Sequence, residues 1–214
     1  MTTQLTILRR LLSAVLLLLF MLPMATAHAQ LGVSLGLNFN RLGDIKVGDT
    51  QATFDNSQGW HVAIWFDLPL GPIAIRPGLR YMDAGALYQG FQEDLDGNQV
   101  VPEGFDVSLL EIPIDVRYRM TLPLLTPYIL AGPVLRFPSG ADEAIRDNLK
   151  AFSLAGSLGV GVEMNLLGLR LYPELQYTFG ITAFADEFRV GDVAFVPDTR
   201  QHLNAVMLRL GIGL

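Results

Sequence analysis

Hydrophobic and polar residues alternate along eight segments of the chain. In one of them, Trp60 and Val62 lie on one side of an extended backbone, and His61 and Ala63 lie on the other. A period of two is typical of β-strands that bury one face. The alternation predicts strands at Leu31–Phe39, Trp60–Leu68, Ile73–Met82, Val107–Met120, Pro127–Phe137, Ala151–Met164, Leu169–Phe179 and His202–Leu214.

The connections between these strands alternate in length. Short ones follow the even strands, at 69–72, 121–126 and 165–168; long ones follow the odd strands, at 40–59, 83–106, 138–150 and 180–201. Each predicted strand can cross a bilayer at a tilt, which takes about 9–11 residues. Short turns on one side and long loops on the other are typical of outer-membrane barrels, with the short turns in the periplasm. The prediction is an all-β fold, an eight-stranded antiparallel up-and-down transmembrane β-barrel.

The direction in which the two faces point is indicated by the aromatic residues. On the apolar face they lie at both ends of the strands: Phe39, Trp60, Tyr81, Phe137, Phe152 and Phe179 near the long loops, and Phe66 and Tyr118 near the short turns. Two such belts are expected where rings sit at membrane interfaces. A soluble barrel with an apolar interior has no reason to sort aromatic residues by height. The apolar face is therefore predicted to contact lipid, and the polar face to line the lumen.

The polar face carries charges of both signs. Asp67 and Arg119 belong to it, and the predicted polar network of the lumen consists of Arg76, Arg80, Glu111, Asp115, Arg117, Arg136, Glu163, Arg170, Glu174 and Arg209. A gated channel is one interpretation. An eight-stranded barrel is just wide enough for side chains, which favours a plug of paired charges. Glu163 and Arg170 are expected to face each other across the turn, and Glu174 and Arg209 lie on adjacent strands.

The first 29 residues are predicted to be a signal peptide. Arg9 and Arg10 precede the apolar run Leu11–Leu22, and Ala27 and Ala29 supply the small residues of a cleavage site. The run falls short of the roughly 20 residues that span a bilayer. We therefore expect a signal peptide at 1–29, a barrel domain at 30–214 and a location in the bacterial outer membrane.

Charge excludes one class of partner. Removal of the two arginines of the signal peptide leaves 13 basic and 21 acidic side chains, a net charge of −8. A nucleic-acid-binding surface would need a basic stripe, so no nucleic acid is expected.

Most carboxylates fall in the long connections. Asp94, Asp96 and Asn98 resemble the start of a calcium loop, but Gln99 and Phe105 replace its glycine and glutamate. Solvated loops without metal or cofactor are predicted.

Catalysis would need a nucleophile beside a base near one rim. His61 and His202 lie toward the long-loop end, where Ser153 and Ser157 are the nearest strand serines. No local motif surrounds any of the four. A lipid-modifying enzyme with a rim Ser/His site stays open as an alternative, and the prediction is a protein without enzymatic activity.

Four segments carry a resemblance to a known family. They are 110–113 (LEIP), 127–133 (PYILAGP), 159–163 (GVGVE) and 175–181 (LQYTFGI), and with them residues 30–214 resemble the PorT-like outer-membrane β-barrel family of the Bacteroidetes. The chain ends in Leu214, where many such barrels end in Phe or Trp. The resemblance implies a small barrel, since some relatives are similar to components of protein-secretion and gliding machinery and many are small barrels of unassigned role. The expected partners are outer-membrane lipid and extracellular or export-machinery proteins. A structural or interaction role is expected, and an accessory subunit of an export apparatus is the alternative.

Overall fold

The computed structural model describes residues 29–42, 45–47, 50–52, 56–87, 92–93, 99–100, 105–120, 122, 125–141, 149–184, 188–190, 193–195 and 201–214. The predicted signal peptide, apart from Ala29, and the segment 94–98 lie outside them. The strands are β1 Gln30–Leu42, β2 Ile45–Val47, β3 Thr50–Ala52, β4 Ser57–Leu70, β5 Ile73–Leu87, β6 Gln92–Glu93, β7 Gln99–Val100, β8 Phe105–Arg119, β9 Thr126–Ala141, β10 Ser153–Leu166, β11 Leu169–Gly180, β12 Phe188–Val190, β13 Val193–Phe195 and β14 Leu203–Gly213.

Eight of these strands close into one barrel. The order around it is β1-β14-β11-β10-β9-β8-β5-β4, and every neighbouring pair is antiparallel. Closure pairs the first strand with the last and leaves no strand edge open, as strands in hydrocarbon require. The predicted fold is confirmed. No helix in the part of the chain that the structure describes is long and apolar enough to span a membrane.

Several strands extend beyond their predicted limits at the long-loop end. β5 continues to Leu87, β8 begins at Phe105 and β9 continues to Ala141. The pairing of β5 with β8 shifts register between Asp83 and Ala86, where Gly85 has a positive φ of 66°. It resumes at Ala86 and Leu87. Bulges interrupt the alternation of faces while the ladder continues. The first three long connections are therefore shorter than predicted, while the fourth keeps its predicted length of 22 residues, at 181–202. Small hairpins lie in three of the four: β2–β3, β6–β7 and β12–β13.

The outer face of the barrel is apolar, as predicted. Leucine, isoleucine and valine side chains project from it along each barrel strand, for example Leu35, which is 66% exposed. The aromatic residues at the long-loop end also touch one another: the ring centroids of Trp60 and Tyr81 are 5.6 Å apart, and those of Phe137 and Phe152 are 5.4 Å apart. Such a surface is suited to lipid, because an exposed apolar belt of this extent would aggregate in water.

Small residues inside the barrel make room for large ones. Gly32 pairs with Trp65 across β1 and β4, and a Cβ at Gly32 would overlap the indole ring. In the same way a Cβ at Gly161 would lie about 2.5 Å from the Tyr128 ring. Real Cβ atoms do not approach that closely, so both glycines are needed where an aromatic side chain crosses the lumen.

The long-loop end of the lumen is filled by apolar side chains. Leu42, Met82, Leu87, Leu109 and Met207 are among the fully buried members of this cluster. Phe184, which follows β11, packs against it and is 2% exposed. Its backbone N–H donates to the Gln201 carbonyl at 2.8 Å, and its carbonyl accepts from the Lys150 N–H at 3.1 Å. An apolar cap therefore closes the barrel toward the long loops.

Candidate functional site in the lumen

A buried carboxylate lies between two arginines in the middle of the barrel. Glu111 on β8 faces Arg80 on β5 and Arg136 on β9 in the strand register. Arg80 Nε donates to Glu111 Oε2 at 2.5 Å, and Arg136 Nε donates to Glu111 Oε1 at 2.7 Å. Arg136 also donates to the Thr178 hydroxyl at 2.8 Å. All three charged side chains are at most 1% exposed, so the carboxylate is held by two guanidinium groups instead of water.

A second cluster lies nearer the short turns and is centred on Glu174. Arg209, its cross-strand partner on β14, donates to Glu174 Oε1, and this predicted neighbour pair is present. The other oxygen, Oε2, accepts from Arg76 Nη1 at 3.3 Å and from the Tyr128 hydroxyl at 2.8 Å. Arg76 reaches across the lumen from β5, and it also contacts Asp67 at 3.4 Å. One carboxylate thus ties three other barrel strands to its own.

Aromatic rings surround the arginines of this second cluster. The Arg76 Cζ lies 4.0 Å from the Trp65 ring centroid and 5.1 Å from that of Tyr172. The Arg117 Cζ lies 4.4 Å from the Tyr128 centroid. A guanidinium over a ring face in a desolvated site is stabilised by the ring quadrupole. Sequence reasoning did not assign this role, although the alternation places Trp65 and Tyr172 on the inner face.

The buried charges are nearly balanced. Five arginines and four carboxylates of the described lumen are fully buried, and Glu163 adds a fifth, partly buried carboxylate. Asp115 is held differently from the others: Ser157 Oγ donates to its Oδ1 at 2.6 Å, and the same hydroxyl lies 3.0 Å from the Gly132 carbonyl. Balanced charges allow the interior to remain dry without a counter-ion.

Arg170 and Glu163 are placed differently from the prediction. Glu163 pairs with Arg117, at 3.6 Å, while Arg170 is exposed and donates to the Gln30 side chain at 3.2 Å. The predicted pairing of Glu163 with Arg170 is wrong because β10 continues two residues beyond its predicted end, to Leu166, while β11 begins at Leu169 as predicted. Leu167 and Gly168 alone connect β10 to β11, so Asn165 lies opposite Arg170. Arg119, also predicted to face the lumen, donates to the Gly71 carbonyl at 2.9 Å at the same rim.

The observed contact predicts that Glu163 is energetically coupled to Arg117 and not to Arg170. We expect a double-mutant cycle of Glu163→Ala with Arg117→Ala to show a coupling energy of about 0.5–3 kcal/mol, because the two charges are in contact. The matched cycle of Glu163→Ala with Arg170→Ala should be additive within about 0.5 kcal/mol. Urea unfolding in lipid vesicles measures both. Additivity in the first cycle together with coupling in the second would contradict the observed register.

The candidate Ser/His residues have different partners. His61 is 1% exposed, beneath the apolar cap, and its Nδ1 lies 3.4 Å from Asn38 Oδ1. Ser157 binds Asp115, as described above. Ser153 is buried and lies opposite Arg136. His202 is half-buried just before β14. Within the part of the chain that the structure describes, neither His61 nor His202 hydrogen-bonds a serine.

Comparison with solved structures shows the same fold elsewhere. The chain is similar to neisserial surface protein A, at 13% identity and a TM-score of 0.50, over 87% of this chain and 97% of that one. A major outer membrane protein from Thermus thermophilus is 19% identical, with a TM-score of 0.49 over 87% and 100% of the two chains. No protein-family model and no curated protein matches the chain.

The fold and its surfaces place the chain in the bacterial outer membrane. The barrel is closed, its outer face is apolar and banded by aromatic residues, and nine charged side chains are buried inside it. These are the features of an outer-membrane barrel, whose lipid-facing and lumen-facing residues alternate along every strand. The protein is a small outer-membrane β-barrel.

Proposed function

We propose that this protein is a non-enzymatic outer-membrane barrel with a structural or interaction role, and that it presents acidic loops outside the cell. The observation that supports this proposal is the filled lumen. The apolar cap with Phe184, the pair of arginines on Glu111 and the aromatic cluster around Arg76 follow one another along the barrel. A filled interior leaves the surfaces outside the barrel as the surfaces for interaction.

The long loops are the surface that this proposal assigns to partners. Most of the 21 carboxylates of the chain lie in or beside them, whereas the lumen charges compensate one another. Acidic loops favour a partner with a basic surface, because complementary charge accelerates encounter and selects partners. The resemblance to the PorT-like family belongs to the same proposal, since it adds proteins of an export apparatus as candidate partners.

Cysteine labelling tests whether the long-loop end of the barrel faces the outside of the cell. The chain has no cysteine, so single cysteines report without background. Cysteine at Asn98 or Asp142, in two long connections, should react with an impermeant thiol reagent on whole cells. Cysteine at Gly71, in a short turn, should react only after the outer membrane is opened. Labelling of Gly71→Cys alone on intact cells would reject the proposed presentation of the acidic loops.

A further inference from the structure

The end of the barrel that carries the short turns is unusually apolar. The segments 70–73, 120–125 and 165–169 contain no charged residue. Their side chains project outward: Leu70 is 61% exposed, Leu122 is 52% exposed and Leu167 is 97% exposed. The C-terminal Leu214 lies exposed at the same end. Connections in contact with water are normally polar, so these turns need a different environment.

Leu167 is kept exposed in a backbone conformation that disfavours it. Leu167 and Gly168 form the two-residue turn between β10 and β11, and both have positive φ, 52° and 83°. Hairpin turns of this kind favour Asn-Gly, because the left-handed region is unfavourable for a side chain such as leucine. An apolar side chain in this unfavourable, exposed conformation motivates the hypothesis that it contacts something outside the chain.

The apolar turns continue the lipid-facing surface of the strands. Leu70 and Ile73 lie on either side of the first turn, and Leu166 and Leu169 on either side of the third; all four are more than 40% exposed. Part of the turn backbone is also satisfied internally. The Gly71 carbonyl accepts from Arg119, and the Leu122 N–H donates to the Leu125 carbonyl at 3.2 Å. Polar backbone with internal partners can enter a membrane leaflet at lower cost.

The charged side chains exposed at this rim, among the residues that the structure describes, are basic. Arg119 precedes the second turn and contacts the first through the Gly71 carbonyl, and Arg170 follows the third turn; both side chains reach the surface of the rim. The nearest carboxylates are directed inward, Asp67 toward Arg76 and Glu163 toward Arg117. Arginine beside apolar side chains at a membrane surface favours an anionic phospholipid, because the stem contacts the acyl region and the guanidinium binds the phosphate.

We propose that the short-turn end is a lipid-binding surface. The three turns insert into the leaflet around them, which is the periplasmic leaflet in the orientation proposed above. Arg119 on β8 and Arg170 on β11, with two strands between them, each bind the phosphate of a separate anionic phospholipid. The occupant is membrane lipid instead of a periplasmic protein, because the apolar turns are continuous with the surface that already faces lipid. Each arginine should enrich anionic lipid locally about fivefold.

The test uses an environment-sensitive fluorophore on Leu167→Cys in phosphatidylcholine vesicles. Brominated phosphatidylglycerol or brominated phosphatidylcholine is added at equal, small mole fractions as quencher. We expect both to quench the label and brominated phosphatidylglycerol to quench it more strongly. In the Arg119→Gln/Arg170→Gln background the difference between the two lipids should disappear. The same label on Ser139→Cys, exposed at the opposite end, is the control and should stay unquenched.

Two results would overturn the proposal. If brominated lipid leaves the Leu167 label unquenched while aqueous iodide quenches it as strongly as the Ser139 label, the turns lie in water and are free for a protein partner. If both lipids quench equally, or the difference survives in the arginine variant, the rim does not select anionic lipid. If Leu167→Cys fails to insert into vesicles, the same quenching measurement is made with the label on Leu122→Cys in the second turn. The vesicle measurement does not depend on orientation in cells, so its outcome is separate from that of the proposed function.

Discussion

Glu111→Ala is expected to lower the free energy of unfolding by about 3–5 kcal/mol, the loss typical when one partner of a buried ion pair is removed. Glu111 is fully buried and binds both Arg80 and Arg136. Its removal leaves two guanidinium groups without an anion in the middle of the barrel. Urea unfolding in lipid vesicles measures the loss.

A combined variant separates stranded charge from lost packing. Replacing Glu111 with Leu and both Arg80 and Arg136 with Met removes the charges together and keeps apolar volume. We expect this triple variant to be more stable than Glu111→Ala, because no unpaired charge stays buried. The pairing would not stabilise the barrel in either of two cases. In one, the free energy of unfolding of Glu111→Ala lies within about 1 kcal/mol of the wild-type value. In the other, the triple variant is less stable than Glu111→Ala.

Substitution of Arg76 is also expected to lower the free energy of unfolding strongly. Its guanidinium contacts Asp67 and Glu174 and lies 4.0 Å from the Trp65 ring centroid. We expect Arg76→Ala to cost about 3–5 kcal/mol, as for other broken buried pairs. Arg76→Lys should fall between the wild type and Arg76→Ala, because lysine keeps the charge but loses the planar fork and the stacking.

Tryptophan fluorescence tests this prediction locally, because it reports the environment of Trp65 beside Arg76. The chain has two tryptophans, and Trp60 is on the outer face, so a Trp60→Phe background leaves Trp65 as the reporter. In that background the emission of the folded protein should change in Arg76→Lys and more in Arg76→Ala. Equal stability of all three proteins, with unchanged emission, would show that Arg76 and Trp65 do not depend on each other.

The strands and their faces could be predicted from sequence because alternation is a local property. Each side chain points away from its neighbours, so Glu111 and Leu110 fall on opposite faces whatever the rest of the barrel does. Alternation also placed Glu174 and Arg209 on the inner face, and the up-and-down order placed them on adjacent strands. The order and closure of the strands followed from the even number of segments and the alternating connections.

The pairing partners required information that alternation does not contain. A two-residue turn at Leu167 and Gly168 replaced the assumed four-residue one, and that change moved Glu163 away from Arg170. The contact between Arg76 and Glu174 crosses the lumen between strands that are not neighbours. It depends on the stagger of the closed barrel, which sequence does not state. The cap by Phe184 comes from a connection without periodic pattern.

Conductance of the purified protein in a planar bilayer tests the filled lumen most directly. Insertion is verified beforehand on vesicles of the same preparation by protection of the barrel strands from protease. Because the apolar cap, the central ion pairs and the aromatic cluster occupy successive levels of the lumen, we predict no stable conductance step above the bare membrane. Steady, reproducible ion-conducting steps from the inserted wild-type protein would contradict the filled lumen and establish a channel.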